Sequence, residues 1–298
     1  MENIVIFGAG QSGRMIKKLL HGTCKFTFYV DNNYKNLPYF IDEIPIVSPK
    51  ELTNIKPDKI IISVLNKEAA EEIHLWLIDE GIRESDILNI GTLTKLFDSR
   101  LAVLRLLSEE IYEKRVEGNI AELGVYKGYL ARELNLLFKD RKLYLFDTFT
   151  GFDARDIEYE KKCKNGISLR NDFSDTNIQQ VKSILPYPEK AIFCIGYFPD
   201  SAANIEDEFA LVSLDTDLYL PTLNGLKYFY PRLSKGGCIL LHDYNSTQFP
   251  NVKAAVNDFS KEADIKIIPL SDLHGSAVIV WQKKKRSFGR HQGYSNKG

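Results

Sequence analysis

The residues with the clearest chemistry stand at the ends of two apolar runs. "FALVSLDTD" drives an apolar segment into Asp215 and Asp217, and "GGCILLHDY" ends on His242 and Asp243. Burying a carboxylate is costly unless something pairs with it. In a parallel sheet adjacent strands end at one face, so Asp215, His242 and Asp243 are expected to converge on one metal ion. Oxygen-rich ligation suits Mg2+, whereas the imidazole of His242 favours Mn2+ or another transition metal. A bound divalent ion acidifies and orients a hydroxyl. Asp217, one step beyond, is then placed to take the proton as general base. His242 keeps three readings: a metal ligand, a second catalytic base, or a structural histidine at a strand end.

Two further stretches carry ligand-binding chemistry. "GNIAELGVYKGYLA" ends a strand on Glu122 and sets Gly124 and Gly128 before a helix. A glycine loop of this type lets the methionine part of S-adenosylmethionine (SAM) lie against backbone. "LYLFDTFTGF" then ends a strand on Asp147, the position from which α/β folds reach a ribose. The competing reading makes Glu122 and Asp147 helix-capping or solvated acids. Near the N-terminus, "GAGQSG" places Gly8, Gly10 and Gly13 in a complete G-x-G-x-x-G. It follows a strand and opens a helix, the context in which such a loop receives phosphate. Asp31 ends the next strand and is a candidate ribose partner. The alternative is a turn kept as architecture, with no ligand.

The elements needed to position these residues fall into two α/β blocks. The first has strands at "NIVIF", "KFTFYVD", "DKIIISVL" and "DILNI", alternating with helices as a parallel sheet requires. "SPKE" reads as a capping box from Ser48 to Glu51. Residues 96–118 have helical periodicity and join the blocks. The second block has seven strand-like runs, the last two separated only by "SDLHG" and therefore expected to pair antiparallel. The resulting domains are 1–97, 98–285 and a flexible basic tail, 286–298. Between strands, "DTFTGFDARDIEYEKKCKNGISLRNDF" is long, polar and weakly periodic, and is expected to be a lid. Tyr197, Phe198 and Asp200 are expected to wall an acceptor pocket. Tyr219 and Tyr244 either stack on sugar rings or pack.

Composition narrows the classes. The 298 residues are 44% hydrophobic and 27% charged, with 39 basic against 40 acidic residues, an ordinary globular balance. A net charge of −1 offers no field for nucleic acid. No apolar run approaches the ~20 residues that span a bilayer. The chain opens on a strand rather than a basic leader, and the four cysteines form no CxxC pair. A cytoplasmic protein is expected.

The second block resembles the macrocin O-methyltransferase family, through "VEGNIAELGVYKGYLA", "LYLFDTFTGF", "NDFSDTN", "IGYFPDS", "VSLDTDLYLPTLNGLKYFYPRLSKGGCILLHDYN" and "VKAAVNDF", spanning about 115–282 in family order. That resemblance implies a class I methyltransferase sheet, SAM at Glu122, Gly124 and Asp147, a metal at Asp215 and Asp243, Asp217 as base, and a sugar hydroxyl as acceptor. Family members often carry an acid at the place of His242. The first block, through "IVIFGAGQSGR", "VDNN" and "IPIVSPKEL", resembles the nucleotide-sugar-binding domain of sugar acyltransferases and half-Rossmann CoA- or NAD-binding domains. A nucleotide sugar or dinucleotide is the partner this implies, and a homodimer is expected by analogy with enzymes of this size. Two rival functions stand beside this reading: an NAD(P)-dependent oxidoreductase or epimerase, and a nucleotide-sensing scaffold. The first predicts a Tyr-x-x-x-Lys in the first hundred residues, where none occurs.

Overall fold

The computed structural model describes residues 2–20, 22–92, 98–162 and 173–282. The chain builds two sheets in succession. The first comprises β1 (Asn3–Phe7), β2 (Lys25–Val30), β3 (Phe40–Ile41), β4 (Ile44–Val47), β5 (Lys59–Ile62) and β6 (Ile87–Asn89), ordered β3-β4-β2-β1-β5-β6. All its pairings are parallel except β3 with β4. Helix α1 (Gln11–Leu19) follows β1, and α2 (Leu52–Ile55) and α3 (Lys67–Asp79) follow later strands. Apolar clusters cover both faces, as a parallel sheet demands.

Two local expectations are corrected here. The four strands expected of the first block do not include "PYFIDEIPIV". The structure forms a hairpin there, turning at Asp42 and Glu43 with φ of 48° and 66°, the two-residue geometry that matches strand twist. The capping box is also incomplete. Ser48 precedes the 3-10 turn Pro49–Glu51, but its hydroxyl meets Glu51 Oε1 at 3.2 Å and caps no backbone N–H.

Helix α4 (Ser99–Glu113) leads into the second sheet. Asp98 Oδ1 accepts from the N–H groups of Arg100 and Leu101 at 2.9 and 3.1 Å, an N-cap that starts the helix. Leu104, Ser108 and Ile111 are buried along one face, the helical spacing of a core stripe. The strands are β7 (Asn119–Leu123), β8 (Leu143–Asp147), β9 (Ala191–Ile195), β10 (Phe209–Leu214), β11 (Leu233–Leu241), β12 (Lys266–Pro269) and β13 (Ala277–Val280). Their order is β12-β13-β11-β10-β7-β8-β9. β13 runs antiparallel to both neighbours and the other pairings are parallel. The expected α/β class, a small Rossmann-like sheet followed by a seven-stranded methyltransferase-type sheet, is what the chain adopts. The expected boundary abuts residues 93–97, and the tail 286–298 also lies outside the described residues.

The strand register decides the position of the site. Leu214 pairs with both Leu123 and Leu241, and Leu123 pairs with Phe146. The carboxyl ends of β7, β8, β10 and β11 therefore lie level. One step on, Asp215 N–H donates to Leu123 O, His242 N–H to Leu214 O and Gly124 N–H to Phe146 O, at 2.9 to 3.0 Å. Gly124, Asp147, Asp215 and His242 thus leave the sheet side by side.

Candidate active site

A cavity of about 310 Å3 opens above these strand ends. Glu122, Gly124, Asp147, Asp215 and Asp217 line it, with Arg100 from the first turn of α4. Gly124 has φ of 88°, and a Cβ there would lie 1.8 Å from the carbonyl oxygen of Asp215. Only glycine brings these two loops so close. Gly128 serves differently. It precedes helix α5 (Tyr129–Leu137) at φ of 77°, its Cβ position 2.7 Å from Val181 Cγ1, and it is absent from the cavity wall. Glycine there permits close packing of the loop against Val181.

Asp147 organises the loop above it. Its Oδ2 accepts from Val125 N and Tyr126 N at 2.7 and 3.0 Å, and its Oδ1 from Phe149 N at 2.7 Å. A carboxylate has about four acceptor sites, so Oδ1 keeps capacity toward the cavity. Glu122 is buried, with Oε2 unpartnered. Burial, then Asp215 and Asp147, raise its pKa well above the ordinary carboxylate range, while Arg100 pulls it down. Arg100 Nε is likewise buried without a partner. Glu122 Oε2 and Arg100 Nε, each without a partner, stand in the same wall and suit the ammonium and carboxylate of an amino acid, the two charges SAM carries at its methionine end.

The carboxylates Asp215, Asp217 and Asp243 present oxygens within 4.8 Å of one another. Asp217 and Asp243 hold φ of 58° and 55°, a left-handed conformation uncommon outside glycine. Burial raises the pKa of Asp217, and Asp215 and Asp243 add to it. Asp243 is pushed up to about 8 by burial and by Asp215. Three hard-oxygen donors repelling one another fit a divalent cation.

His242 stands outside this group of three. Its Nε2 meets Ser213 Oγ at 3.2 Å and its Nδ1 meets Arg100 at 3.3 Å, while Asp215 lies 3.8 Å away. The ring is 2% exposed and lines no part of the cavity. Burial lowers its pKa to about 4. A neutral imidazole with both nitrogens engaged holds Arg100 in place. Arg100 is the residue sequence reasoning missed. It lies 142 positions from His242, and its only sequence signal is the Asp98 cap that places it in a first turn.

The outer wall is partly as expected. Tyr197 and Phe198 line the cavity, but Asp200 does not; it lies 3.6 Å from Arg155. Tyr219 stacks on Tyr159 and donates to Asp258 at 2.7 Å. Tyr244 packs beneath Lys253. Both tyrosines pack. The stretch read as a weakly periodic lid contains helix α6 (Ala154–Lys162), and its residues 163–172 lie outside the described residues. Glu160 latches this helix, accepting from Tyr219 N at 2.6 Å and from Asn251 Nδ2. Asp156 lines the cavity and accepts from the Tyr197 hydroxyl at 3.1 Å.

In the first sheet, Asp31 Oδ2 accepts from Ala9 N at 2.9 Å and Oδ1 from Asn33 N at 2.8 Å. A Cβ on Gly13 would meet Gly8 O at 2.1 Å, and one on Gly8 would meet Ser63 Oγ at 2.5 Å. Gly8, Gly10, Gly13 and Asp31 line neither the cavity above nor a second one described below.

A sheet ordered this way, with a glycine loop and an acid over level strand ends, defines the class of Rossmann-like methyltransferases. Residues 53–283 match the family model described as Macrocin-O-methyltransferase (TylF), a wider span than the sequence resemblance covers, and residues 1–88 match a C2185-like N-terminal model. The chain belongs to the macrocin O-methyltransferase family and is a SAM-dependent O-methyltransferase. It is 27% identical over 62% of its length to the demethyldecarbamoylnovobiocin O-methyltransferase of Streptomyces niveus, covering 74% of that protein. It is 27% identical over 54% of its length to the mycinamicin III 3''-O-methyltransferase of Micromonospora griseorubida, covering 67% of that protein. Among solved structures, the O-methyltransferase NovP aligns with a TM-score of 0.52 at 24% identity, over 62% of this chain and 80% of its own. The calicheamicin methyltransferase CalS11 aligns with a TM-score of 0.52 at 18% identity, over 72% of this chain and 92% of its own. At these identities the structures speak for the fold.

Proposed function

We propose that the chain methylates a sugar hydroxyl, with a divalent cation at Asp215 and Asp243 and with Asp217 as general base. The observation that carries this is the meeting of three carboxylates within 4.8 Å beside a cavity that Glu122, Gly124 and Asp147 also line. Asp217 reaches the cavity and Asp243 does not, so Asp217 is the acid that meets an acceptor hydroxyl. The methyl group passes from the sulfonium to the acceptor oxygen, the C–S bond breaks, and the hydroxyl proton goes to Asp217. Mg2+, or Mn2+ in its place, would supply positive charge to the developing oxyanion. The chain's own residues do the positioning: Asp147 shapes the loop, Glu122 and Arg100 hold the amino-acid end, and Tyr197 with Asp156 walls the acceptor side.

The relatives support a sugar acceptor through their names, one of which specifies a rhamnosyl 4'-O-methyltransferase from Streptomyces olivaceus, 24% identical over 60% of this chain. The proposal extends to a cytoplasmic setting, a homodimer, and an N-terminal domain of residues 1–97 that holds a nucleotide sugar or dinucleotide. Unpaired Cys194 and Cys238, both buried, suit a reducing compartment. No described helix is long and apolar enough to cross a membrane.

The test is calorimetric titration of SAM, followed by transfer of labelled methyl to sugar acceptors with Mg2+, Mn2+ or chelator. SAM binding retained in Asp217→Asn, with turnover reduced about a hundredfold or more, is the expected result. Full turnover in chelator removes the metal from the reading. Full turnover in Asp217→Asn removes the base.

A further inference from the structure

A second cavity, of about 500 Å3, lies between the two sheets' territories. One wall is the face of α1 that carries Gln11, Arg14, Lys17 and Lys18. The other is the loop just past Asp243, represented by Asn245 and Thr247. Gln11 Oε1 ties the walls together, accepting from both Thr247 N and Thr247 Oγ1 at 2.7 Å. Asp42, at the hairpin turn, contributes the one acidic group of the lining; Lys17 Nζ donates to its carbonyl at 2.7 Å and stands 3.9 Å from its carboxylate.

The charge does not balance locally. Three cations face one carboxylate, and Lys17 already attends to it. Lys17 and Lys18 stand in the last turn of α1, where cations offset the helix dipole. That explanation does not reach Arg14, which lies mid-helix. Neither Arg14 nor Lys18 has a side-chain hydrogen bond or ion pair among the described residues. Buried donors are also left over: Arg14 Nε and Gln11 Nε2 are shielded and unpartnered. The Tyr29 hydroxyl, fully buried outside the cavity lining, is unpartnered too. It lies near enough to Arg14 and Asp42 for both charges to act on it. Shielded donors without acceptors are unfavourable, and an anion in the cleft would meet those of Arg14 and Gln11, which line it. Arginine is the side chain best suited to phosphate.

We infer that this cleft binds a phosphate-bearing small molecule of the nucleoside diphosphate class, with its phosphates against Arg14 and Lys18. The cavity exceeds what a bare phosphate fills, so the ligand carries a body alongside the loop of Asn245 and Thr247. The site takes Gln11 from the glycine loop of the first sheet, with Gly8, Gly10, Gly13 and Asp31 outside its lining, and is separate from the cavity of Glu122 and Asp147; it deepens the reading of the N-terminal domain as a nucleotide-sugar site. It stands independently of the methyl-transfer reading.

The experiment uses the full chain, titrated by calorimetry with UDP and, separately, with inorganic pyrophosphate. The wild type is expected to bind UDP at about millimolar concentration or tighter. Arg14→Gln and the surface variant Lys18→Glu are each expected to weaken this at least tenfold, with SAM affinity and melting temperature unchanged for Lys18→Glu. UDP bound more tightly than pyrophosphate confirms a ligand with a body. Equal binding identifies the diphosphate alone as the recognised group. No binding of either probe overturns the inference. So does binding that survives both variants, or that disappears in Asp147→Ala, since the occupant would then sit in the other cavity.

Discussion

The chain uses one backbone device twice, and of the two cavities described the first is lined by the glycine and acid of the second copy, while neither is lined by the glycines and acid of the first. After β1, Asp31 accepts from Ala9 N; after β7, Asp147 accepts from Val125 N and Tyr126 N. Each acid ends the second strand and ties down the glycine loop that follows the first. Around Gly8, Ser63 fills the space, its hydroxyl donating to Phe7 O or Gly8 O, both at 2.9 Å. Around Gly124, the loop lies open above Glu122 and Arg100, whose Oε2 and Nε are buried without partners. A glycine loop is therefore a way of turning a strand into a helix. What makes it a ligand site is polar capacity left unspent beside it.

The largest test of this contrast is Gly124→Ala. Its Cβ would lie 1.8 Å from Asp215 O at a φ of 88°, so the loop must move. Loss of detectable SAM binding is expected, with a stability loss of about 3 kcal/mol or more by denaturant unfolding. Unchanged SAM affinity would show that the loop's approach to Asp215 is incidental.

Next in size is the matched pair Asp147→Ala and Asp31→Ala. Removing Asp147 strands three backbone donors, and SAM affinity is expected to fall about a hundredfold, or ~3 kcal/mol. Removing Asp31 strands two and is expected to cost stability of about 1–3 kcal/mol with SAM affinity intact. If both variants lose SAM equally, the two sheets are energetically one site.

A smaller effect separates cavity acids from surface acids. Burial raises Asp156 from 3.8 to about 6. The folded state therefore holds this proton more tightly than the unfolded chain. The carboxyl subtracts nothing below about pH 4, where both states are protonated, and progressively more as pH rises to about 6. Asp156→Asn should accordingly raise the melting temperature at about pH 7.5, by an amount equivalent to 1–3 kcal/mol on the order of the shift, and should bring no gain near pH 4. A loss of stability at the higher pH would mean that the charged form is the favoured one. The expected gain would instead mark Asp156 as an acid kept at the acceptor wall at the expense of the fold.

The smallest expected effect is that of Gly10→Ala. Nothing lies within 4 Å of its Cβ position, and φ there is −75°. Alanine's entropic advantage offsets its weaker N-cap preference, so stability should stay within about 0.5 kcal/mol. Loss of UDP binding in this variant would make the first loop a ligand site after all and break the contrast.

Much of this was legible along the chain because it is local. Alternating strands and helices, glycines at strand ends and the acids Glu122, Asp147, Asp215, Asp217 and Asp243 all follow from short-range pattern, and level parallel strand ends bring most of them together. Orientation was not legible. His242 leaves its strand beside Asp215, yet its ring turns inward to Ser213 and Arg100. Asp217 joins Asp215 and Asp243 through left-handed backbone at two non-glycine residues, which propensity argues against. Arg100 comes from a helix whose sequence predicts only an amphipathic stripe. The chain by itself determined which groups the strands deliver, since strand ends and turns are set by neighbours in sequence. Tertiary packing alone decided which of them face the cavity, because side-chain direction at a strand end depends on partners distant in sequence, 29 and 142 residues away for His242.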